Sequence, residues 1–254
     1  MKKLILSTLF ILCLSFQASA WNPMVVVSGG GSSCPSFYNA TDVIFSWDGD
    51  HDSGTEYACN TAGDALEGTN SNLTIHTDYG ESGSNGANID ATDKYLTWED
   101  SGDQYIDDVG PQTIWMRVYI SATPDDYTVL FESVYNADNR LELMIADDLS
   151  NFDYYNAGSS PASATHSVLA GSWIDIAYSW TTPAGAGTPT GDHSSWGGST
   201  WEDNDNELGY AMASNLPNIT LGDNLTGANG PGAGKYINVT QFAIVDGYKS
   251  AKPW

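Results

Sequence analysis

Between residues 113 and 180, apolar and polar residues alternate with a period of two in four separate stretches. In residues 113–120, Ile114, Met116, Val118 and Ile120 share one face and Arg117 takes the other. Tyr127, Val129 and Phe131 repeat the period around Thr128 and Glu132, and Leu141, Leu143 and Ile145 repeat it opposite Arg140 and Glu142. Ile174, Ile176, Tyr178 and Trp180 do the same opposite Asp175 and Ser179. Successive side chains of a strand point to opposite faces, so the pattern predicts strands with one buried and one wet face. The spacers at 121–126 and 136–139 are turn-like, and nothing beyond residue 20 shows a comparable period near 3.6. The expectation is an all-β chain folded as an antiparallel two-sheet β-sandwich.

The order of these stretches resembles the laminin-G-like or concanavalin A-like jelly roll. A Trp-containing strand at 112–120 is followed by a Phe-Glu-Ser strand at 128–133 and by Asn139-Arg140-Leu141-Glu142-Leu143. Then come Gly171-Ser172-Trp173-Ile174-Asp175-Ile176-Ala177-Tyr178, Asn218-Ile219-Thr220-Leu221-Gly222-Asp223 and a last strand within 237–248. Each motif is short; their order carries the resemblance, which spans about residues 43–249. It implies a jelly roll that binds a polysaccharide or surface glycan, with a calcium near the sandwich edge whose ligands no motif match assigns. Polysaccharide lyases and glucanases share this fold, so the resemblance also implies an enzymatic alternative. A third class is a surface protein whose partner is another extracellular protein.

The first twenty residues read as a signal peptide. Lys2 and Lys3 make a positive start, residues 4–16 an apolar run, and Ala18-Ser19-Ala20 a small-residue cleavage site. That run is too short for a membrane-spanning helix. The expectation is an exported protein, secreted, periplasmic or at the cell surface, with residues 21–254 as one domain. The Gly/Ser/Pro-rich stretch 181–200, flanked by strand patterns, reads as a long loop of that domain.

Composition narrows the partners. Of 254 residues, 32 are Asp or Glu and 8 are Lys or Arg, a formal charge of −24. Phosphate-rich surfaces would be repelled, which excludes a nucleic acid or an anionic membrane as the ligand. The acidity serves solubility, cation binding or attraction of a cationic partner. Two cysteines remain past residue 20, Cys34 and Cys59, and an isolated pair in an exported chain is expected to form a disulfide.

The sharpest local motif is Asp48-Gly49-Asp50-His51-Asp52-Ser53-Gly54. Carboxylates at i, i+2 and i+4 around a glycine are how a short loop wraps oxygen ligands around Ca²⁺, which makes Asp48, Asp50 and Asp52 candidate metal ligands. It is not an EF-hand loop, since Ser53 and Cys59 stand where Gly and Glu would be needed, and an Asp-rich turn without metal has the same composition. The acidic run 202–207 spaces Glu202 and Glu207 as in the Glu-x-Asp-x-x-Glu of laminarinase-type glucanases, but Asn204 occupies the middle position. The run reads as a loop ahead of a strand at 208–212. No histidine spacing points to zinc. Only Arg117 and Arg140 are available to neutralise a uronate, a thin basis for a lyase.

Among the aromatics, Trp47, Trp98, Trp115, Trp173 and Trp180 lie in or beside strands and read as core or sheet surface. Trp196 and Trp201 flank Gly197-Gly198-Ser199, where no strand period buries them. A flat amphipathic ring on a loop is what a sugar face stacks on, with Asn204 and Asp205 beside it for hydroxyls. Tyr154 and Tyr155, read as a loop after Ile145, form a second candidate. The competing reading is that these rings pin their own loops.

Overall fold

The computed structural model describes residues 42–49, 51–52, 55–60, 65–100, 105–106, 111–136, 139–149, 151–156, 162–165, 170–180, 193–197, 201–203, 218–222 and 230–247. At 51, 52, 55–57, 59, 60, 65, 135, 136, 139, 151–156, 162–165, 193–197 and 201–203 the description is of the backbone. In chain order the strands are β1 Val43–Trp47, β2 His51–Asp52, β3 Thr55–Asn60, β4 Ala65–Ser71, β5 Thr74–His76, β6 Gly86–Ile89, β7 Tyr95–Glu99, β8 Gln112–Ile120 and β9 Thr128–Asn136. They continue as β10 Asn139–Ile145, β11 Asn151–Asn156, β12 Ala162–Thr165, β13 Trp173–Trp180, β14 His193–Gly197, β15 Trp201–Asp203, β16 Asn218–Gly222 and β17 Ile237–Asp246.

Two antiparallel sheets result, as the alternation predicts. The first runs β15–β14–β13–β8–β17. The far edge of β17 is shared by β6 along Ile237–Val239 and by β1 from Phe242 to Val245. The second sheet runs β4–β7–β16–β9–β10–β11–β12. Strand β4 belongs to both: residues 65–68 pair with β3 on the first sheet and Thr69–Ser71 with β7 on the second. One strand thus turns the corner between the layers.

The core lies between the sheets and contains the residues that alternation assigns to it. Ile114, Met116, Val118 and Ile120 of β8 and Ile174, Ile176, Tyr178 and Trp180 of β13 meet Leu141, Leu143 and Ile145 of β10. Aromatic rings join the layers at one end. Phe242 of β17 stacks on Phe131 of β9 at 5.4 Å, and Phe45 of β1 meets Trp98 of β7 edge-on at 5.3 Å.

Two expectations are corrected. Tyr127, Val129 and Phe131 do not share a face. The β9–β10 register shifts between Leu143 and Met144, so a bulge at Leu130 puts Leu130 and Phe131 together in the core, while Val129 pairs with Met144 outside it. Tyr127 precedes the strand and is 38% exposed. Nor are the outer faces wet: Thr113, Asp175 and Ser179 on the first sheet and Glu132 and Glu142 on the second are all buried. Both sheets therefore carry a second buried layer on the side away from the core.

Candidate functional site

Register defines the outer face of the first sheet as cross-strand rows. One row reads Trp201, Trp196, Ala177, Trp115, Ala243 across β15, β14, β13, β8 and β17. Trp115, Ala177, Ala243 and Val245 form an apolar cluster of their own, separate from the main core. Alanines at 177 and 243 flank the Trp115 indole, and directly opposed residues stand about 4.5–5.5 Å apart, so small neighbours leave space for the large ring.

The next row is ionic. Asp175 of β13 opposes Arg117 of β8, which opposes Gln241 of β17. Arg117 donates from Nε to Glu81 Oε2 at 2.9 Å and from Nη2 to Glu81 Oε1 at 2.6 Å, a bidentate pair, and its Nη1 lies 3.2 Å from Asp175 Oδ1. Burial alone would lower the Arg117 pKa, but its hydrogen bonds to Glu81 and the charges of Asp175 and Glu81 more than offset it, leaving it above the usual arginine value. The stability such a raised group contributes is complete below its unfolded pKa and lost only above the folded one, so the guanidinium is charged throughout the working range. Glu81 sits on a 3₁₀ turn, Glu81–Gly83, and the triad clamps that turn onto the sheet.

The second sheet has a comparable row that sequence reasoning missed. Glu142 of β10 lies directly opposite Glu132 of β9, and both are buried, at 2% and 1% exposure. Arg140 Nη1 is 3.2 Å from Glu142 Oε1. Beyond Glu132 the row continues through Thr220 and Thr97, joined hydroxyl to hydroxyl at 3.0 Å. On the other side of Glu142 stands the register position of Tyr155. Both arginines take outward strand positions, as alternation predicts, and both are tied to carboxylates.

The sugar-stacking candidates divide between these faces. Trp196 and Trp201 are not loop residues. They lie on β14 and β15, which pair with each other, and the stretch 181–200 expected to be one long loop contains β14. Glu202 and Asp203 are likewise on β15 rather than in a loop. Tyr154 and Tyr155 lie on β11, and register separates them: Tyr154 opposes the core residue Leu143, whereas Tyr155 opposes Glu142 on the outer face. Asn204 and Asp205 lie outside the described residues, as does the 208–212 segment.

Asp48 follows β1 directly and is half-buried; Gly49 next to it has φ +77°. A Cβ on Gly49 would stand 2.4 Å from the Asn85 carbonyl oxygen, so only glycine fits this turn. Asp52 is on β2, opposite Thr55, and Asp50 lies outside the described residues. Among the described residues no group of three or more His, Cys, Asp or Glu is placed to hold a metal ion. Cys59 is on β3 opposite Ser46, and Cys34 lies outside the described residues. No helix among the described residues is long and apolar enough to cross a membrane.

No family model matches the chain, and no curated protein does. Solved structures do. A botulinum neurotoxin type C structure, described with cell entry dependent upon interaction with two ganglioside molecules, superposes with a TM-score of 0.58 at 10% identity, over 83% of this chain and 49% of that one. The botulinum neurotoxin serotype D/C binding domain gives 0.57 at 11% identity, over 82% and 49%. Trypanosoma rangeli sialidase in complex with sialic acid gives 0.57 at 9%, over 85% and 34%. The chain spans about half the length of the two toxin chains and a third of the sialidase. At such identity the likeness shows the fold: a two-sheet antiparallel β-sandwich.

Proposed function

We propose that this chain is an exported, lectin-like domain of the laminin-G-like or concanavalin A-like kind, binding a polysaccharide or surface glycan at the β14–β15 end of its first sheet. The observation that carries this reading is the pairing of Trp196 with Trp201 at directly opposed positions on the last strands of that sheet. Aromatic residues at directly opposed strand positions are held at a fixed spacing by the backbone, which loop residues are not, and amphipathic aromatic residues suit a sugar face. The fold neighbours named with gangliosides and sialic acid support a glycan as the ligand class.

The test is a glycan array followed by titration of the best ligand. Trp196→Ala and Trp201→Ala should each weaken binding by about 1–3 kcal/mol, the scale of one lost aromatic burial. The melting temperature should move little, because a cross-strand pair contributes only about 0.2–1 kcal/mol. Intact affinity with a large loss of stability would mean that the rings are structural.

A structural calcium held by Asp48, Asp50 and Asp52 is part of this proposal, supported by the forced glycine turn between the first two carboxylates. Chelator should lower the melting temperature, and Asp50→Ala should abolish the difference. An unchanged melting curve in excess chelator removes the metal.

One observation favours a second, enzymatic reading. Glu132 and Glu142 are directly opposed on neighbouring strands, with Cβ atoms about 4.5–5.5 Å apart by strand geometry, so their carboxyls can reach the ~5–5.5 Å separation of a retaining glycosidase. Against it, both carboxylates are almost fully buried and Glu142 is paired with Arg140, so a sugar would have to displace what covers them. Reducing-end release from a neutral polysaccharide, abolished by Glu132→Gln, would replace the binding reading with this one.

A further inference from the structure

A second aromatic platform occupies the opposite end of the same outer face. Trp173 opens β13 and is opposed in register to Tyr119 of β8. Their rings lie 5.7 Å apart, tilted by 51°. Tyr236, just ahead of β17, stacks on Tyr119 at 6.3 Å and 23°. All three rings are half-buried, in contrast to the fully buried Trp115 on the same face. Across the other edge of Tyr119 the row continues into amides. Asn238 opposes Tyr119, Asn88 opposes Asn238, and Asn88 Nδ2 donates to Asn238 Oδ1 at 2.9 Å.

The platform is held by three turns tied to one another. The Ser121 backbone N–H donates to the Tyr236 carbonyl at 3.0 Å, and the Tyr236 N–H returns to Ser121 Oγ at 2.8 Å. The Asp125 N–H donates to the Pro231 carbonyl at 3.0 Å, and the Gly171 N–H, ahead of Trp173, donates to the Ile120 carbonyl at 2.8 Å. Lys235 Nζ lies 2.5 Å from Asp125 Oδ1 at the rim. Rings fixed by the backbone before a ligand arrives lose little freedom on binding, which favours affinity.

Size and charge select the ligand. One aromatic side chain buries at most about 150–250 Å², so three half-buried rings cannot supply the ~800 Å² per partner of a stable protein interface. Arg117, two residues before Tyr119, and Lys235, next to Tyr236, are each bound to carboxylates, and the chain as a whole is strongly acidic. Among the described residues, an anionic saccharide would meet only cations already paired with carboxylates. We infer that Tyr119, Trp173 and Tyr236 form a second carbohydrate subsite, distinct from the Trp196–Trp201 pair, that takes the apolar face of a neutral pyranoside, with the exposed Lys235–Asp125 pair at its edge for the hydroxyls and the buried Asn88–Asn238 pair fixing the sheet beneath.

The experiment is calorimetric titration of the full chain with cellohexaose, laminarihexaose and mannohexaose, and with oligogalacturonate as the acidic probe. At least one neutral hexasaccharide should bind, and oligogalacturonate should not. Trp173→Ala should weaken that binding roughly tenfold or more, the effect of losing one stacked ring. Tyr236→Ala, outside the strands, is the second variant should Trp173→Ala fail to fold, and its melting curve reports its integrity. Trp196→Ala, titrated alongside, reports the β14–β15 site separately. Absence of binding to all three neutral probes overturns the subsite, as does equal binding of oligogalacturonate. Affinity unchanged in Tyr236→Ala and Trp173→Ala but lost in Trp196→Ala overturns it while leaving the β14–β15 reading intact.

Discussion

Arg117→Met is expected to lower the unfolding free energy by about 3–5 kcal/mol, the cost of stranding a buried ion-pair partner. The side chains of Arg117 and Asp175 are 12% and 5% exposed, so removing the guanidinium leaves the Asp175 carboxylate in a poorly solvated place without that cation. Glu81 differs: at 32% exposure it keeps contact with water, and Glu81→Gln should cost only about 1 kcal/mol. The loss in Arg117→Met should be partly recovered in Arg117→Met/Asp175→Leu, because replacing both buried charges removes the uncompensated one. Urea unfolding of the single and double variants measures this as a coupling free energy. A loss below about 1 kcal/mol in Arg117→Met would mean that the triad is not the clamp its geometry describes.

Much of this architecture was legible from the chain, for a physical reason. Strands β8, β10 and β13 are buried on the core side by residues two apart, and burial of alternate residues is what period-two hydrophobicity encodes. The same logic fails at Leu130, where one inserted residue reverses the faces without any change in composition. It fails also at β14 and β15. His193-Ser194-Ser195-Trp196-Gly197 has no apolar alternation, yet its backbone pairs with β13 on one side and β15 on the other. For β11, the adjacent tyrosines hid the period: Phe152 and Tyr154 oppose core residues, and Tyr155 does not.

The candidate sites were less legible still. Arg117 and Glu81 are 36 residues apart, and Tyr119, Trp173 and Tyr236 come from three separate segments. Only the β8–β13–β17 register brings those rings together, and register is a property of the folded sheet. Alternation tells which residues oppose the core; it does not tell what lies over them. That is why Glu132, Glu142 and Asp175 read as solvent-facing in sequence and are buried in the fold.

Phe242→Ala should have the other large effect, a loss of about 3–5 kcal/mol. Phe242 is fully buried, stacked on Phe131 of the second sheet at 5.4 Å and edge-on to Phe45 at 5.8 Å. Truncation would remove the ring that joins β17 to β9 and leave a void between layers too well packed to collapse around it. Phe242→Leu keeps most of the volume and should cost about 1.5 kcal/mol or less. For a chain of this length, about 2–4 °C of melting temperature accompanies each kcal/mol, so Phe242→Ala should melt on the order of 10 °C lower. The two variants also separate fold from function. Phe242 lies on the core side of β17, away from the outer-face rows of Trp196 and Tyr119, so glycan affinity measured well below the transition should be unchanged in both. A Phe242→Ala protein that melts normally would mean that the sheets are not held together through this stack. One that stays folded but loses affinity would place the binding surface at the core-side end of the sandwich, where neither proposed site lies.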